Sequence, residues 1–285
     1  MPADRPSRTT VLESPLGLVE HLRSGHGPEA SGEGFSLEFQ VCLPTRGLFV
    51  WHVEGDEVIG DPNHALFVTA RERYRLSQPA GGGYAELIIT PDAELLAETA
   101  RTPVDRLSSH PLFRVRSARV GPRVQHLSAS LLRRRLNGHR DDLGDEEAMV
   151  ALLRSTCQTE GPAVRPGGPT GRLIRRTKEH LDGHLASRLS LADVARAVGA
   201  SPAYLTSVFR RFEGVSLHRY VTQLRLARSL TELPYATDLT TLAVDLGFSS
   251  HSHFACAFRK AFHMTPSEFR LLGARSRPAA IQPSP

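Results

Sequence analysis

The chain has 285 residues, of which 40% are hydrophobic and 23% charged, a composition typical of a globular protein with room for about two domains. No apolar run approaches the roughly 18 residues that a membrane helix needs, and the first residues lack the apolar core of a secretion signal. Cys42, Cys157 and Cys256 lie far apart in the sequence, which favours reduced thiols over a disulfide framework or a zinc site of clustered cysteines. We therefore expect a cytoplasmic protein that has no membrane partner.

The charge is unevenly distributed along the chain. Its formal net charge is +5, but residues 171–285 hold 16 Lys and Arg against 8 Asp and Glu. Residues 1–109 have the opposite balance, with 9 basic and 16 acidic side chains. A basic half of this size suggests a polyanionic partner such as DNA, RNA or an acidic membrane surface, although a solvated basic face is the alternative.

Residues 34–90 carry the pattern of short β-strands. Phe35, Leu37, Phe39 and Val41 alternate with polar or small neighbours, which is the period of a half-buried strand. Short apolar runs follow, separated by turn groups of Gly, Pro, Asp and Asn. Strands of this length and spacing predict a small sandwich or barrel.

Residues 110–158 change to helical spacing and predict two amphipathic helices joined through residues 137–144. Their apolar stripes could pack on the barrel or pair between two chains, and we expect a homodimer. Within the first helix, Arg133–Arg135 is either a DNA contact or a solvated helix face. Seven of the eleven residues in 161–171 are Gly or Pro, which predicts a flexible linker between loosely coupled domains.

The basic half contains an internal repeat. In the first copy, Ser190 begins a short helix with a buried stripe and Gly199 ends it, and Ser201 and Pro202 begin a second helix that Gly214 ends. Residues 238–262 repeat this arrangement, with basic pairs in equivalent places of the two copies. Between the copies we predict one helix from Ser216 to Pro234, about 18 residues or roughly 27 Å long.

Two short helices joined by a tight turn that contains glycine form a helix-turn-helix, whose second helix enters the major groove of DNA. The inward stripes predict which side chains face outward toward the groove and the phosphates. In the first copy these are Ala203, Thr206, Ser207, Arg210 and Arg211, and in the second His251, Ser252, Ala255, Cys256, Arg259 and Lys260. Because most of the base-facing side chains are short, we expect methyl contacts, water bridges and DNA shape to carry much of the specificity.

The runs 191–212, 225–230, 246–262 and 265–270 resemble the AraC/XylS family of bacterial transcription regulators, and the resemblance covers about residues 171–272. It implies a seven-helix unit with two helix-turn-helix motifs on one DNA face, double-stranded DNA as partner and RNA polymerase as a further candidate partner. His263 stands where family members usually carry glycine. The resemblance also implies an N-terminal cupin-like sensing domain, and residues 60–68 and 74–79 are similar to barrel segments of such regulators.

A barrel of this size can hold one small effector. The candidate ligand-binding residues are Trp51, His52, His64, Tyr74 and Arg75. His52 and Glu54 share a strand face, but no His-x-His motif accompanies them, so we expect neither a metal nor another cofactor and assign no catalytic residue. A cupin-type metalloenzyme with a helical appendage, and a barrel that binds a protein partner, are the alternatives.

The expected fold is therefore multidomain, with an all-β cupin-like barrel followed by an all-α double helix-turn-helix domain. The predicted domain bounds are 1–109 for the barrel, 110–160 for the helical connector with its possible dimerisation helices, 161–171 for the linker, 172–272 for the DNA-binding domain and 273–285 for a disordered tail.

Overall fold

The computed structural model describes residues 6–25, 33–79, 82–100, 116–157 and 168–274. Its N-terminal part is built from two antiparallel sheets. The strands are β1 (Ser7–Ser14), β2 (Gly17–Ser24), β3 (Glu33–Phe35), β4 (Gln40–Arg46), β5 (Phe49–Val53), β6 (Asp56–Gly60), β7 (His64–Val68), β8 (Arg73–Ser77), β9 (Tyr84–Pro91) and β10 (Ser117–Arg119).

Six strands form one sheet in the order β1-β2-β9-β4-β7-β10, and four form the other in the order β3-β8-β5-β6. Alternation along each strand gives the larger sheet two apolar faces. On β9, Leu87 and Ile89 join the cluster beneath the helices, whereas Ile88 joins Trp51 and Leu76 in the cluster between the sheets. The predicted all-β N-terminal fold is therefore confirmed.

The barrel has strands on both sides of residues 34–90, where the sequence pattern predicted them. It begins at Ser7, because β1 and β2 pair with one another and β2 pairs with β9. It also extends past residue 109, since β10 pairs with β7. The residues of β1 up to Thr10 are exposed, so the strand lacks the alternating apolar face on which the prediction depended.

The rest of the described chain is helical, which confirms the all-α prediction for the C-terminal part. The helices are α1 (Ala93–Ala100), α2 (Pro122–Leu136), α3 (Asp142–Cys157), α4 (Gly168–Gly183), α5 (Leu191–Val198), α6 (Pro202–Glu213), α7 (Leu217–Glu232), α8 (Leu239–Asp245), α9 (His251–Phe262) and α10 (Pro266–Ala274). No helix in the described ranges is both long and apolar enough to cross a bilayer.

The leucine stripes of α2 and α3 are not dimer surfaces. Leu131, Met149 and Leu152 are fully buried in the same cluster as Val19 and Ile89 of the barrel. The stripes therefore pack on the larger sheet of their own chain, and any pairing between two copies must use other faces of these helices.

The arginines of α2 differ from both predicted alternatives, because each has a partner within the chain. Arg133 donates to the carbonyl oxygens of Phe269 and Arg270 in α10 at 2.7 Å each. Arg134 lies 2.7 Å from the buried carboxylate of Asp145, and Arg135 donates to the backbone of the first strand. All three hold parts of the chain together.

The segment 161–171 is not linker throughout. Helix α4 already begins at Gly168, while residues 158–167 lie outside the described ranges.

The domains on either side share a buried polar interface, in which Asn63 of the barrel donates to the backbone oxygen of Tyr220 in α7 at 3.2 Å. The expectation of loosely coupled domains is therefore wrong for this structure. At the C-terminus, α10 runs to Ala274, and the rest of the predicted tail lies outside the described residues.

Candidate DNA interface

The first helix-turn-helix is formed by α5 and α6. The Ser190 hydroxyl accepts a hydrogen bond from the Asp193 amide at 3.1 Å, and the Ser201 hydroxyl accepts one from the Tyr204 amide at 3.2 Å, so each helix begins where the sequence predicted. Gly199 ends α5 in the left-handed conformation, with φ of 68°. A residue with a Cβ atom is strained at this φ, whereas glycine adopts it freely, which explains the glycine in the tight turn.

Helix α6 turns one face inward and leaves the other in solvent. Leu205 and Phe209 are fully buried against Tyr220 of α7, whose ring meets that of Phe209 edge to face at 5.1 Å. The five predicted DNA-facing side chains of this copy are all exposed: Ala203, Thr206, Ser207, Arg210 and Arg211.

The second helix-turn-helix, α8 and α9, repeats this arrangement. The Asp238 carboxylate accepts from the Thr241 amide at 2.6 Å, and Phe254 and Phe258 are fully buried. His263 ends α9 with φ of 58°, in the left-handed conformation expected at that position. Of the predicted contact residues, four are exposed (Ser252, Cys256, Arg259 and Lys260) and two are half-buried (His251 and Ala255).

The basic side chains at the ends of α6 and α9 are available to a partner. Within the described ranges, no carboxylate lies within 4.0 Å of Arg210, Arg211, Arg259 or Lys260. They contrast with Arg133 of α2, which is occupied inside the chain. The two helices therefore present equivalent free cations beside their outward faces.

Helix α7 connects the two motifs. It has 16 residues, slightly fewer than expected, which corresponds to about 24 Å at 1.5 Å per residue. Its side chains are buried in both units, because Tyr220 belongs to the apolar core of the first motif and Leu230 to that of the second. This helix therefore forms a continuous connection between the two recognition helices.

The five predicted effector residues do not form one site. Trp51 and Tyr74 do meet between the sheets, with ring centroids 5.1 Å apart. His52 and Arg75 are register partners on the other face of the smaller sheet, where His52 contacts Ser77 at 2.8 Å. His64 points instead toward the DNA-binding domain, where it contacts Glu213.

The sequence patterns did not reveal one buried carboxyl group and one buried group of charged side chains. Glu86 is buried on the same face of β9 as Tyr84, and burial raises the pKa of its carboxyl to about 8 although Arg8 opposes this. Asp61, Lys178 and Glu213 meet between the barrel and the helices. No local pattern could have found this group, because its members come from separate elements. Within the described part of the chain, no three His, Cys, Asp or Glu side chains are grouped so as to hold a metal ion.

Comparison with known proteins supports the helix-turn-helix assignment. Residues 194–271 match the family model described as a helix-turn-helix domain. Over 100 residues the chain is 33% identical to the regulatory protein SoxS of Salmonella typhimurium, which covers 35% of this chain and 94% of SoxS. The chain belongs to the AraC/XylS family of transcription regulators.

Two longer bacterial regulators are also similar to part of the chain. The regulatory protein PocR of Salmonella typhimurium is 32% identical over 114 residues, and the arabinose operon regulatory protein of Escherichia coli is 32% identical over 125 residues. The chain spans 36% of the former and 41% of the latter. Among solved structures, an AraC-type DNA-binding regulator from Chromobacterium violaceum is 27% identical, with 37% of this chain and 96% of that chain covered and a TM-score of 0.35.

Proposed function

We propose that the chain is a cytoplasmic transcription regulator that binds double-stranded DNA through α6 and α9. The observation that carries this proposal is the repetition itself. Two helices of the same length, each with its apolar face buried, present unpaired basic side chains at equivalent places. Each helix can enter a major groove while its basic side chains contact the adjoining phosphates.

Substitution of these basic side chains tests the assignment. Arg210→Ala and Arg259→Ala are each expected to weaken binding to duplex DNA and to flatten the plot of log affinity against log salt by about one unit for each phosphate that is no longer neutralised. Arg8→Ala is the matched control, because Arg8 is exposed on β1 and pairs with Glu20 at 3.1 Å, far in sequence from both motifs and outside the face of α3. If affinity and salt slope are unchanged in both DNA-face variants, the assignment of α6 and α9 as recognition helices fails.

We propose further that a small effector binds between the sheets of the barrel, beside Trp51, Tyr74 and Glu86. The rings of Trp51 and Tyr74 pack together, and those of Phe49 and Tyr84 lie 4.6 Å apart. A buried carboxyl beside aromatic faces suits a cation or another hydrogen-bond donor.

In a thermal-shift screen, small organic amines are expected to raise the unfolding midpoint of the wild-type chain but not that of Glu86→Gln. Matched alcohols that raise both midpoints equally would count against a cationic effector.

A homodimer is proposed through the outward face of α3. Leu143 is 70% exposed and borders a cleft of about 540 Å³ that also contains Glu147, Val150 and Arg154. Sedimentation velocity is expected to show a dimer for the wild-type chain and a monomer for Leu143→Glu. RNA polymerase remains a candidate partner in this proposal, without assigned residues.

A further inference from the structure

A buried cluster of charged and ionisable side chains joins the barrel to the DNA-binding domain. Asp61 lies in the turn between β6 and β7, and His64 is the first residue of β7. They meet Lys178 of α4, Glu213 at the end of α6 and Tyr220 of α7. Each of the five residues is at most 7% exposed, so water does not screen their interactions appreciably.

His64 lies between two carboxylates. Its Nδ1 is 2.9 Å from Asp61 Oδ1 and its Nε2 is 3.1 Å from Glu213 Oε2. A neutral imidazole carries only one N–H, so its other nitrogen would turn a lone pair toward a carboxylate. The imidazolium ion has a proton on both nitrogens and suits both contacts. Burial and the Lys178 ammonium lower the pKa of His64, but Asp61 and Glu213 outweigh them and raise it above its usual value.

The other groups complete the charge balance of the cluster. Lys178 Nζ is 2.7 Å from Glu213 Oε1 and 3.7 Å from Asp61 Oδ2, and the Tyr220 hydroxyl donates to Asp61. With His64 protonated, two carboxylates face two cations. Without that proton, Lys178 is the one cation within 4.0 Å of the two carboxylates among the described residues, so a buried negative charge loses its direct partner, which is unfavourable.

Two further charged groups face the cluster from its edges. Arg119 lies over the ring of Tyr220 at 5.4 Å and donates to Gln223. Asp182 of α4 interacts electrostatically with Asp61, and burial together with Asp61 raises its pKa to about 6. Arg119 is also the register partner of His64 on the neighbouring strand, and it interacts electrostatically with Asp61 and Glu213. It therefore balances part of their charge, but from a longer distance than Lys178.

The cluster holds the first recognition helix at one end. Glu213 is the last residue of α6, whose opposite face carries the exposed side chains assigned to DNA. A contact to Glu213 therefore fixes α6 without covering that face. At the other motif, Arg133 of α2 binds the backbone of α10, so the second helix-turn-helix is fastened to the N-terminal part separately.

We propose that His64 is a proton-dependent bridge, which fastens the first helix-turn-helix to the barrel while the imidazole is charged and releases it when the imidazole is neutral. The bridge makes the first helix-turn-helix unfold together with the barrel. Through it, a change in the turn that contains Asp61 reaches the end of α6. The coupling itself does not depend on DNA binding, and only its consequence for DNA rests on the proposed function.

The direction of the pH dependence follows from the raised pKa. A group whose pKa is higher in the folded state contributes stability that is complete below its unfolded pKa, about 6.5 for histidine. This contribution is lost as the pH rises through the folded-state pKa of His64. The first helix-turn-helix is therefore expected to be coupled to the barrel in mildly acidic solution and uncoupled from it in alkaline solution.

Differential scanning calorimetry of the full chain tests the bridge without DNA. We expect one cooperative transition for the wild-type chain at about pH 6 and two transitions at about pH 9. His64→Gln is expected to show two transitions at both pH values, with the midpoint of the first helix-turn-helix lower by about 10 °C at the acidic one.

Two further variants separate a proton-dependent role from a merely structural one. Asp61→Asn retains His64 but removes one carboxylate, so the pH at which the transition splits is expected to move downward. Glu57→Gln is the matched control, because it breaks an exposed ion pair between the same two domains, Glu57 with Arg175 at 3.0 Å. Exposed pairs contribute little, so its profile is expected to match that of the wild type.

Several outcomes overturn the proposal. The wild-type transition could stay single in alkaline solution, or it could already be split at about pH 6. The His64→Gln profile could follow that of the wild type. The Asp61→Asn profile could split at the same pH as the wild type. Loss of DNA binding in the Arg210→Ala variant has no bearing on any of these readings. The two proposals can therefore fail independently.

Discussion

His263 ends the second recognition helix with φ of 58°, where the equivalent position of the first copy has Gly214 with φ of 69°. A residue with a Cβ atom pays about 1 kcal/mol or more in this conformation, and histidine tolerates it better than most. The His263 side chain is exposed, so it has no buried packing that would offset the strain.

His263→Gly is therefore expected to raise the free energy of unfolding by about 0.5–1 kcal/mol, because glycine adopts the left-handed conformation freely. Urea denaturation of the full chain measures the change. Gly199→Ala is the control of opposite sign, since it introduces a side chain at φ of 68° and is expected to lower the free energy of unfolding by a similar amount. A destabilising His263→Gly would show that the histidine side chain has a role that its exposure does not reveal.

At the scale of the element, helix α2 has two different neighbours. Val124 and Leu131 pack in the cluster that the helix shares with the barrel. Ala129 packs against the core of the second helix-turn-helix. The ring centroid of His126 lies 5.9 Å from that of Phe262 and 5.7 Å from that of Phe269. The helix is therefore a wedge between the barrel and the second motif, in addition to a connector along the chain.

Two leucines of α2 allow this packing to be tested within one element. Leu131→Ala is expected to lower the free energy of unfolding by about 2–5 kcal/mol, because Leu131 is fully buried and its truncation leaves a cavity. Leu136→Ala is expected to change it by less than about 0.5 kcal/mol, because Leu136 is 54% exposed. Urea denaturation followed by circular dichroism measures both. If both variants lost the same free energy of unfolding, Leu131 would not be packed in the core of the barrel.

At the scale of the whole molecule, the buried cluster also predicts an acid limit to the coupling of the domains. Burial raises the pKa of Glu213, but Lys178 and His64 outweigh it and lower the pKa to about 2. A group whose pKa is lower in the folded state contributes stability above its unfolded pKa, and this contribution is lost as the pH falls through the folded value. The contribution of Glu213 is therefore present near pH 5 and lost toward pH 2.

Glu213→Gln is thus expected to have a lower unfolding midpoint than the wild type near pH 5, and the difference is expected to shrink steadily as the pH falls toward 2. Thermal unfolding across this range measures it. Glu232→Gln serves as the control, because Glu232 pairs with Arg228 in a half-exposed setting, and its difference from the wild type is expected to be small throughout. A Glu213→Gln difference that does not vary with pH would mean that the side chain acts through its shape rather than its charge.

Much of the helical half follows from local patterns. The caps at Ser190, Ser201 and Asp238 and the turn at Gly199 involve residues within a few positions of one another, so their chemistry is visible in the sequence. The first strand was missed because its exposed end lacks the alternation that reveals a half-buried strand. Of the candidate effector residues, Trp51 and Tyr74 meet between the sheets, but His52 lies on the opposite face of its strand, which the sequence pattern did not distinguish.

The sequence by itself determined the repeated motif and the side chains that each recognition helix turns outward, because helical spacing fixes both over a single turn or two. Only the tertiary structure decided what the isolated polar residues do. Arg133 binds the backbone of a helix 136 residues away, and Tyr220 donates to Asp61 across 159 residues. Such partners are chosen by the packing of whole domains, and the free energy of a buried charge depends on neighbours that no local pattern specifies.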